Sequence, residues 1–200
     1  MKKLRNQLYY WICLLLGPLA RLIFPLQVEG LANIGDEPVI LCPNHGHALD
    51  PILLILALPA SYPLRIMAKK QLMEIPVLGW LLRKAGVFGI DRGNSDVAAV
   101  KTAISSLKSG WNLLIFPEGT RVKEQGEVEA KGGIAMMAIR SGVKLQPVYI
   151  SPEQRVFRKT RIVIGEPYAP VYTGRKGTAE EYQANADEIL RQAYALGESK

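Results

Sequence analysis

The chain has 200 residues, enough for a domain with a buried hydrophobic core. Its 25 basic residues outnumber 18 acidic ones, and the net charge of +7 favours phosphate-bearing substrates, an acidic membrane surface or an acidic carrier protein. Nucleic acid is the least favoured anionic partner, and we expect none, because zinc-finger spacing, aromatic RNA-binding strands and basic heptad helices are missing. The two cysteines, Cys13 and Cys42, exclude a disulfide framework, and their apolar neighbours predict reduced, buried thiols.

Residues 1–26 form a basic and then apolar segment, separate from a larger domain at 27–200. The run LYYWICLLLGPLARLIFPL lacks the small-residue cleavage site that a signal peptide needs. Gly17-Pro18, Arg21 and Pro25 interrupt it, which argues against a membrane span. We therefore expect two short segments docked in the membrane interface, with a buried core helix as the alternative. The residues predicted to face headgroups and anionic lipid are Tyr9, Tyr10, Trp11, Lys2, Lys3, Arg5 and Arg21.

After Pro38, short apolar stretches alternate with amphipathic ones, which predicts an α/β domain with a mostly parallel, mixed core sheet flanked by helices. The predicted strands are VILC (39–42), LRIMA (64–68), GVFGI (86–90), NLLIF (112–116), VKLQPVYI (143–150) and RIVIG (161–165). The predicted helices are 50–58, pieces of 69–86 broken at Pro76, 94–110 capped by Asn94 or Ser95, 133–142, and a last helix opened by the capping box Thr178-x-x-Glu181.

Polar residues follow two of these strands, where α/β sheets bind their ligands. In CPNHGHALDP (42–51), His45 and His47 are the only histidines. A metal site is disfavoured, because no third histidine or ligand cluster accompanies them. Alternatively, Asp50 orients His45 as a general base, or Asp50 only caps the following helix. No serine or cysteine stands in a nucleophile context, so the base would activate a substrate hydroxyl directly.

Four stretches occur in a diagnostic order: Asn44-His45-x4-Asp50, GVFGIDR (86–92), FPEGTR (116–121) and QPVYI (146–150). This series resembles the glycerolipid acyltransferase family, which contains the bacterial 1-acylglycerol-3-phosphate acyltransferases. The resemblance extends from Val28 to Ile164. The His-x4-Asp motif is weak by itself, but it is specific when FPEGTR follows at this distance.

The resemblance implies roles for individual residues. His45 corresponds to the general base and Asp50 to its partner, whereas His47 is a variable position within the motif. Arg121 corresponds to an arginine that holds the acceptor phosphate. The other residues expected to bind substrate are Lys69 (rather than Lys70), Arg92, Glu118, Gly119 and Thr120. Glu118 either accepts a hydrogen bond from a substrate hydroxyl or fixes the loop. Lys131 either stabilises the same loop or is solvated.

The resemblance also implies the reaction. We expect transfer of a fatty acyl group from acyl-CoA or acyl carrier protein to 1-acylglycerol 3-phosphate (lysophosphatidate), giving phosphatidate without a covalent enzyme intermediate or a bound cofactor. The enzyme would lie on the cytoplasmic face of the cell membrane, peripheral or monotopic, and VLGWLL (77–82) and the apolar amino terminus would line the acyl groove. The alternatives are another acceptor (glycerol 3-phosphate, another lysophospholipid or an amine lipid), a metal-dependent hydrolase, or a non-catalytic lipid-binding protein.

Overall fold

A single sheet organises the part of the chain that the computed structural model describes, residues 7–91, 96–123 and 125–198. The strands are β1 (Leu26–Glu29), β2 (Val39–Pro43), β3 (Leu64–Lys69), β4 (Val87–Ile90), β5 (Asn112–Leu114), β6 (Lys144–Ile150) and β7 (Thr160–Ile164). Their order across the sheet is β1-β7-β6-β2-β5-β3-β4, and only the β6–β7 pair is antiparallel. The predicted mostly parallel, mixed sheet is confirmed.

Helices cover both faces of this sheet. They are α1 (Gln7–Ile23), α2 (Asp50–Ala57), α3 (Lys70–Glu74), α4 (Leu78–Lys84), α5 (Val97–Lys108), α6 (Gly133–Ser141) and α7 (Ala179–Glu198), with a 3-10 turn at Leu31–Asn33. One core cluster packs α2 and the inner sides of α3 and α4 against the sheet, and Phe24 at the end of α1 joins it. A second cluster packs α5, α6 and α7 against the opposite face. The helices therefore form two layers, α1–α4 and α5–α7.

Most predicted elements are confirmed, including the helix break at Pro76 and the capping box of α7. The Glu181 carboxylate accepts from the Thr178 amide at 2.7 Å, and the Thr178 hydroxyl accepts from the Glu181 amide at 3.3 Å. The predicted cap of α5 is wrong. The helix begins at Val97 and its cap is Asp96, whose carboxylate accepts from the amide of Ala99 at 2.9 Å.

The prediction of two short amino-terminal segments is wrong, because residues 7–23 form one helix that continues through Pro18. Contacts with α2 hold this helix together. Gly17 is buried against the Leu56 side chain, and the Arg21 guanidinium donates to the Leu56 carbonyl, with a distance of 3.1 Å from Nε. Arg21 is therefore tied to α2, contrary to the expectation that it faces lipid. Residues 1–6 and the side chain of Tyr9 lie outside the described part of the chain.

The outer side of α1 is apolar and exposed, notably at Leu15, Leu19 and Leu22. Among the described residues, no helix combines the length and the apolar character needed to cross a bilayer. The two thiols differ in their surroundings, since Cys13 on α1 is half-buried and Cys42 in β2 is fully buried. Burial raises the pKa of the Cys42 thiol, as expected for an unreactive core cysteine.

Candidate active site

The register of the sheet brings the predicted site residues to one edge. Leu41 of β2 lies beside Leu114 of β5, which lies beside Ile66 of β3. Because these strands are parallel, their carboxyl ends meet at the same edge. The chain leaves β2 towards His45, β5 towards the loop 117–121, and β3 at Lys69.

His45 and Asp50 form a close pair in which Asp50 orients the ring. The Nδ1 atom of His45 lies 2.8 Å from Oδ2 of Asp50, an oxygen that also accepts from the amides of Gly46 at 2.9 Å and His47 at 2.8 Å. An oxygen that accepts from two amides assigns the proton of the His45–Asp50 contact to Nδ1, which leaves the lone pair on Nε2. The neutral histidine is therefore in the tautomer that a general base requires.

Asp50 does not cap α2, which was the alternative role. The residue at the helix cap is Leu49, with no side-chain cap bond, and both Asp50 oxygens bind groups outside the helix. The Asp50 side chain is 2% exposed and that of His45 is 14% exposed. The ring of His45 also packs on Phe116, with centroids 4.0 Å apart. The pair is thus held by buried neighbours, and a small part of the imidazole remains accessible.

Gln154 is a second partner of Asp50, and no sequence pattern pointed to it. Its side-chain amide donates to Oδ1 of Asp50, although the two residues are 104 positions apart. The adjacent strand ends are joined by Asn44, whose amide donates to the carbonyl of Ile150 at 3.0 Å and accepts from its N–H at 2.7 Å. This bond continues the β2–β6 pairing and places the Gln154 loop over the site.

Glu118 holds the main chain of His45. Its Oε2 accepts from the His45 amide at 2.7 Å, and its Oε1 accepts from the hydroxyl of Tyr194 on α7 at 2.6 Å. The carbonyl of His45 accepts from Val122 at 2.9 Å, so the FPEGTR loop clamps both sides of this residue. Of the two roles predicted for Glu118, this geometry supports fixing the loop, since protein groups occupy both oxygens.

Burial controls the protonation of Glu118, which is 1% exposed. Desolvation raises the pKa of this carboxyl above its usual range, and the hydrogen bonds from Tyr194 and the His45 amide partly oppose that rise. Tyr194 is the second residue that sequence reasoning missed. A tyrosine on the apolar face of a helix indicates core packing, and nothing in its spacing points to Glu118.

An open cavity of about 680 Å³ lies in front of His45. Its walls include Lys69, Gly119, Thr120 and Arg121, four of the predicted substrate-binding residues. Lys70 lines a different groove and interacts with Asp96, so of the two lysines Lys69 is the one at the cavity in front of His45. Among the described residues, Arg121 and Lys69 form no ion pair, and both are exposed. The cavity mouth therefore carries two cations without acidic partners in the described part of the chain.

A smaller apolar cavity of about 380 Å³ continues beneath the first. Both cavities share the lining residues Met67, Phe116, Gly119 and Thr120. The smaller one extends between the sheet edge and the helices α5 and α6, and Lys131 lies at its wall. The segment VLGWLL (77–82) lines neither cavity, contrary to the expectation that it forms the acyl groove.

The remaining predicted residues are placed as follows. Arg92 lies outside the described residues. His47 is exposed, and its Nδ1 accepts from the amide of Leu49 at 3.2 Å. Within the described part of the chain, no three His, Cys, Asp or Glu side chains form a group that could hold a metal ion.

The fold and site define a class of α/β protein that is known from solved structures. The chain superposes on the 1-acyl-sn-glycerophosphate (LPA) acyltransferase PlsC from Thermotoga maritima with a TM-score of 0.61, at 24% identity and over 98% of both chains. The two proteins share the acyltransferase fold. The acyltransferase family model matches residues 25–151, more than half of the sequence, and the chain belongs to this family.

Curated relatives extend the comparison. A lyso-ornithine lipid O-acyltransferase of Pseudomonas aeruginosa is 36% identical over 134 residues, covering 66% of this chain and 49% of the relative. The 1-acyl-sn-glycerol-3-phosphate acyltransferase of Streptococcus pneumoniae is 36% identical over 119 residues, or 58% and 43% of the two chains. That of Helicobacter pylori is 31% identical over 186 residues, or 86% and 76%. The chain spans half or less of the first two relatives.

Proposed function

We propose that this protein transfers a fatty acyl group from an acyl thioester, acyl-CoA or acyl carrier protein, to the free hydroxyl of 1-acylglycerol 3-phosphate. The products are phosphatidate and the free thiol. The observation that carries the proposal is the His45–Asp50 pair, 2.8 Å apart, facing a cavity with Lys69 and Arg121 at its mouth. Membership in the acyltransferase family and the similarity to two 1-acyl-sn-glycerol-3-phosphate acyltransferases support the same reaction.

The proposed chemistry is general-base catalysis. Nε2 of His45 takes the proton of the acceptor hydroxyl as its oxygen attacks the thioester carbonyl, and Asp50 stabilises the imidazolium that forms. Collapse of the tetrahedral intermediate breaks the C–S bond, and the thiolate leaves with the proton from His45. General-base action contributes about 10² to 10⁴ in rate, so alignment of the two substrates in the cavity supplies much of the remainder.

The charge of the cavity mouth favours a phosphate-bearing acceptor. A guanidinium and an ammonium bind phosphate oxygens with charge-assisted hydrogen bonds, and the backbone around Gly119 adds donors in a positive-φ turn. The likeness to a lyso-ornithine lipid O-acyltransferase makes an acceptor with an ornithine head group the second candidate. An ornithine head group carries an amino cation that offsets the charge of its carboxylate, so Lys69 and Arg121 should bind it more weakly than a phosphate, which is why we rank it second.

The base is tested with the two histidines. His45→Ala should abolish thiol release from acyl-CoA in the presence of lysophosphatidate, with the fold and donor binding retained. His47→Ala is the matched control and should keep most of the activity, since its ring is exposed. If His47→Ala abolished the activity and His45→Ala kept it, the base would be His47 instead of His45.

The acceptor is tested with Arg121. Arg121→Ala should lower kcat/KM for lysophosphatidate by about 10- to 150-fold, because a charge-assisted bond is worth about 1.5–3 kcal/mol. Arg121→Lys should recover only part of this, since an ammonium cannot form two parallel bonds. An acceptor without phosphate should be poor for the wild type and little affected by the substitution. Equal losses on both acceptors would mean that Arg121 supports the loop instead of binding phosphate.

We also propose peripheral association with the membrane through the exposed apolar side of α1. Leu15 and Leu22 are 69% and 68% exposed, and a helix with one such face docks in the interface region of a bilayer. This places the enzyme where its lipid acceptor is.

A further inference from the structure

The α3–α4 hairpin, residues 70–84, exposes an unusual amount of apolar surface. Val77 is 72% and Trp80 is 55% exposed, and four more large apolar side chains within ten residues are each at least 39% exposed. A soluble surface rarely carries so many neighbouring apolar groups without a partner. The six residues are Leu72, Ile75, Val77, Leu78, Trp80 and Leu81.

The local structure fixes this exposure. Gly79 lies against the main chain of Met73, where an added Cβ would be 2.1 Å from the carbonyl oxygen, so the two short helices cross closely. The Arg83 guanidinium donates to the same carbonyl at 2.8 Å. Met73 and Leu82 pack into the core. The hairpin is therefore anchored by its inner side, while Val77 sits at its tip with a φ of 62°.

The hairpin and α1 lie on the same face of the sheet. Both belong to the α1–α4 layer, and most exposed large apolar side chains of the described residues lie in this layer or in the adjoining loop at Val156 and Phe157. That loop is joined to α1, since the amide of Phe157 donates to the carbonyl of Ile23 at 2.7 Å. In the helices of the opposite layer, only Val97 is comparably exposed among the described residues.

Charge distinguishes the hairpin from α7. Residues 69–84 contain four basic residues and one acidic residue, whereas 178–198, on the opposite layer, contain five acidic residues and one arginine. Basic residues beside exposed tryptophan and aliphatic side chains match the interface of an anionic bilayer, where aromatic rings lie at headgroup depth and cations bind lipid phosphates.

We propose that the α3–α4 hairpin is a second membrane-inserting element, which docks with α1 on an anionic lipid bilayer. Leu72 belongs to the hairpin and also lines the His45 cavity, and Lys69 at the cavity wall immediately precedes it. Insertion of the hairpin therefore brings the cavity mouth to the headgroup layer, where a lysolipid can enter without leaving the membrane. Only this last step rests on the proposed function.

A matched pair of substitutions tests insertion. Val77→Glu places a charge at the hairpin tip, and Val171→Glu makes the same change at a residue that is 79% exposed and contacts the opposite layer through Asn185. Flotation of the full chain with phosphatidylcholine–phosphatidylglycerol vesicles should show a partition coefficient at least about tenfold lower for Val77→Glu, because a charge in the bilayer costs several kcal/mol. Val171→Glu should stay within about twofold of wild type. Equal effects of the two substitutions would overturn the proposal.

A second measurement does not depend on how Val77→Glu folds. The chain has three tryptophans, and Trp11→Phe with Trp111→Phe leaves Trp80 as the only one. On binding to the same vesicles, Trp80 emission should shift to the blue and should be quenched by brominated acyl chains. Bound protein with unchanged, unquenched emission would show that the hairpin stays in water.

The activity assay separates this proposal from the proposed reaction. Val77→Glu should transfer acyl groups to lysophosphatidate in detergent micelles at the wild-type rate, and at least about fivefold more slowly to the same acceptor in vesicles, following the loss of partition. If the proposed reaction is wrong, no acceptor will turn over, but flotation and Trp80 emission will still report insertion. If insertion is wrong, Val77→Glu will match the wild type in vesicles as well.

Discussion

The substitution Asp50→Asn tests what the negative charge of Asp50 contributes to catalysis by His45, because it removes the charge and keeps the shape of the side chain. An asparagine can keep its amide oxygen at the Oδ2 position, where it accepts from the ring of His45 and from the amides of Gly46 and His47. Its amino group then faces Gln154, whose Oε1 is buried and has no hydrogen-bond partner among the described residues. A rotated Gln154 amide accepts that new donor. The geometry and the tautomer of His45 are therefore retained, and the charge is lost.

The expected magnitude follows from the contact. The lower bound is a charge-assisted hydrogen bond, about 1.5 kcal/mol. The upper bound is the attraction of two unit charges about 4 Å apart near a protein surface, about 4 kcal/mol. In the proposed mechanism the imidazolium forms only as the reaction proceeds, so kcat should fall by about 10- to 10³-fold while KM changes little.

The assay measures thiol release from saturating acyl-CoA with a chromogenic thiol reagent, in the presence of lysophosphatidate. Circular dichroism and thermal unfolding show whether the variant keeps the fold, and Asp50→Ala serves as the comparison that leaves four donors without the acceptor they have in the wild type. That variant should lose stability as well as activity. A kcat of Asp50→Asn within twofold of the wild type would refute the idea that Asp50 stabilises a charged His45.

Two further predictions concern the residues that support the pair. Gln154→Ala removes a donor to the buried Asp50 and should lower kcat by about 3- to 10-fold with KM unchanged, which corresponds to about 0.7–1.4 kcal/mol for one hydrogen bond; a change in KM alone would contradict a positioning role. Glu118 has a raised pKa in the folded state, so the unfolded chain ionises first near its ordinary value of 4.5, and the free energy of unfolding should decrease as pH rises from there through the folded pKa. Glu118→Gln should lack this decrease in urea titrations at a series of pH values, and parallel curves for the two proteins would refute it.

Local sequence predicted most elements and the His45–Asp50 pair because both depend on short-range spacing. His45 and Asp50 are five positions apart across a strand-to-helix turn, and such a turn brings them together whatever the rest of the chain does. The sequence also predicted strands β2 to β7, since each is a short apolar run, but it did not predict β1 (Leu26–Glu29). By contrast, Gln154 reaches Asp50 only because β6 pairs with β2, and neither the sequence of β2 nor that of β6 predicts this pairing.

The prediction for the amino-terminal helix was wrong for a related reason. Gly17-Pro18 lowers helix propensity by itself, and a local pattern predicts a break. The fold supplies what the pattern lacks, because Gly17 is buried against the Leu56 side chain and the Arg21 guanidinium donates to the carbonyl of the same residue. Tertiary contacts can outweigh one missing helical hydrogen bond, and these were not visible in the sequence.

The two buried carboxylates have complementary tasks on His45. Asp50 holds the ring through Nδ1, and Glu118 holds the main chain through the amide, so neither rotation of the side chain nor displacement of the loop is free. A general base needs both restraints, since a misplacement of about 1 Å can cost about 10² in rate. Each carboxylate is in turn fixed by a residue distant in sequence, Gln154 or Tyr194. The position of the proposed base therefore depends on the assembled sheet and on α7, and loss of either support should lower kcat before it weakens substrate binding.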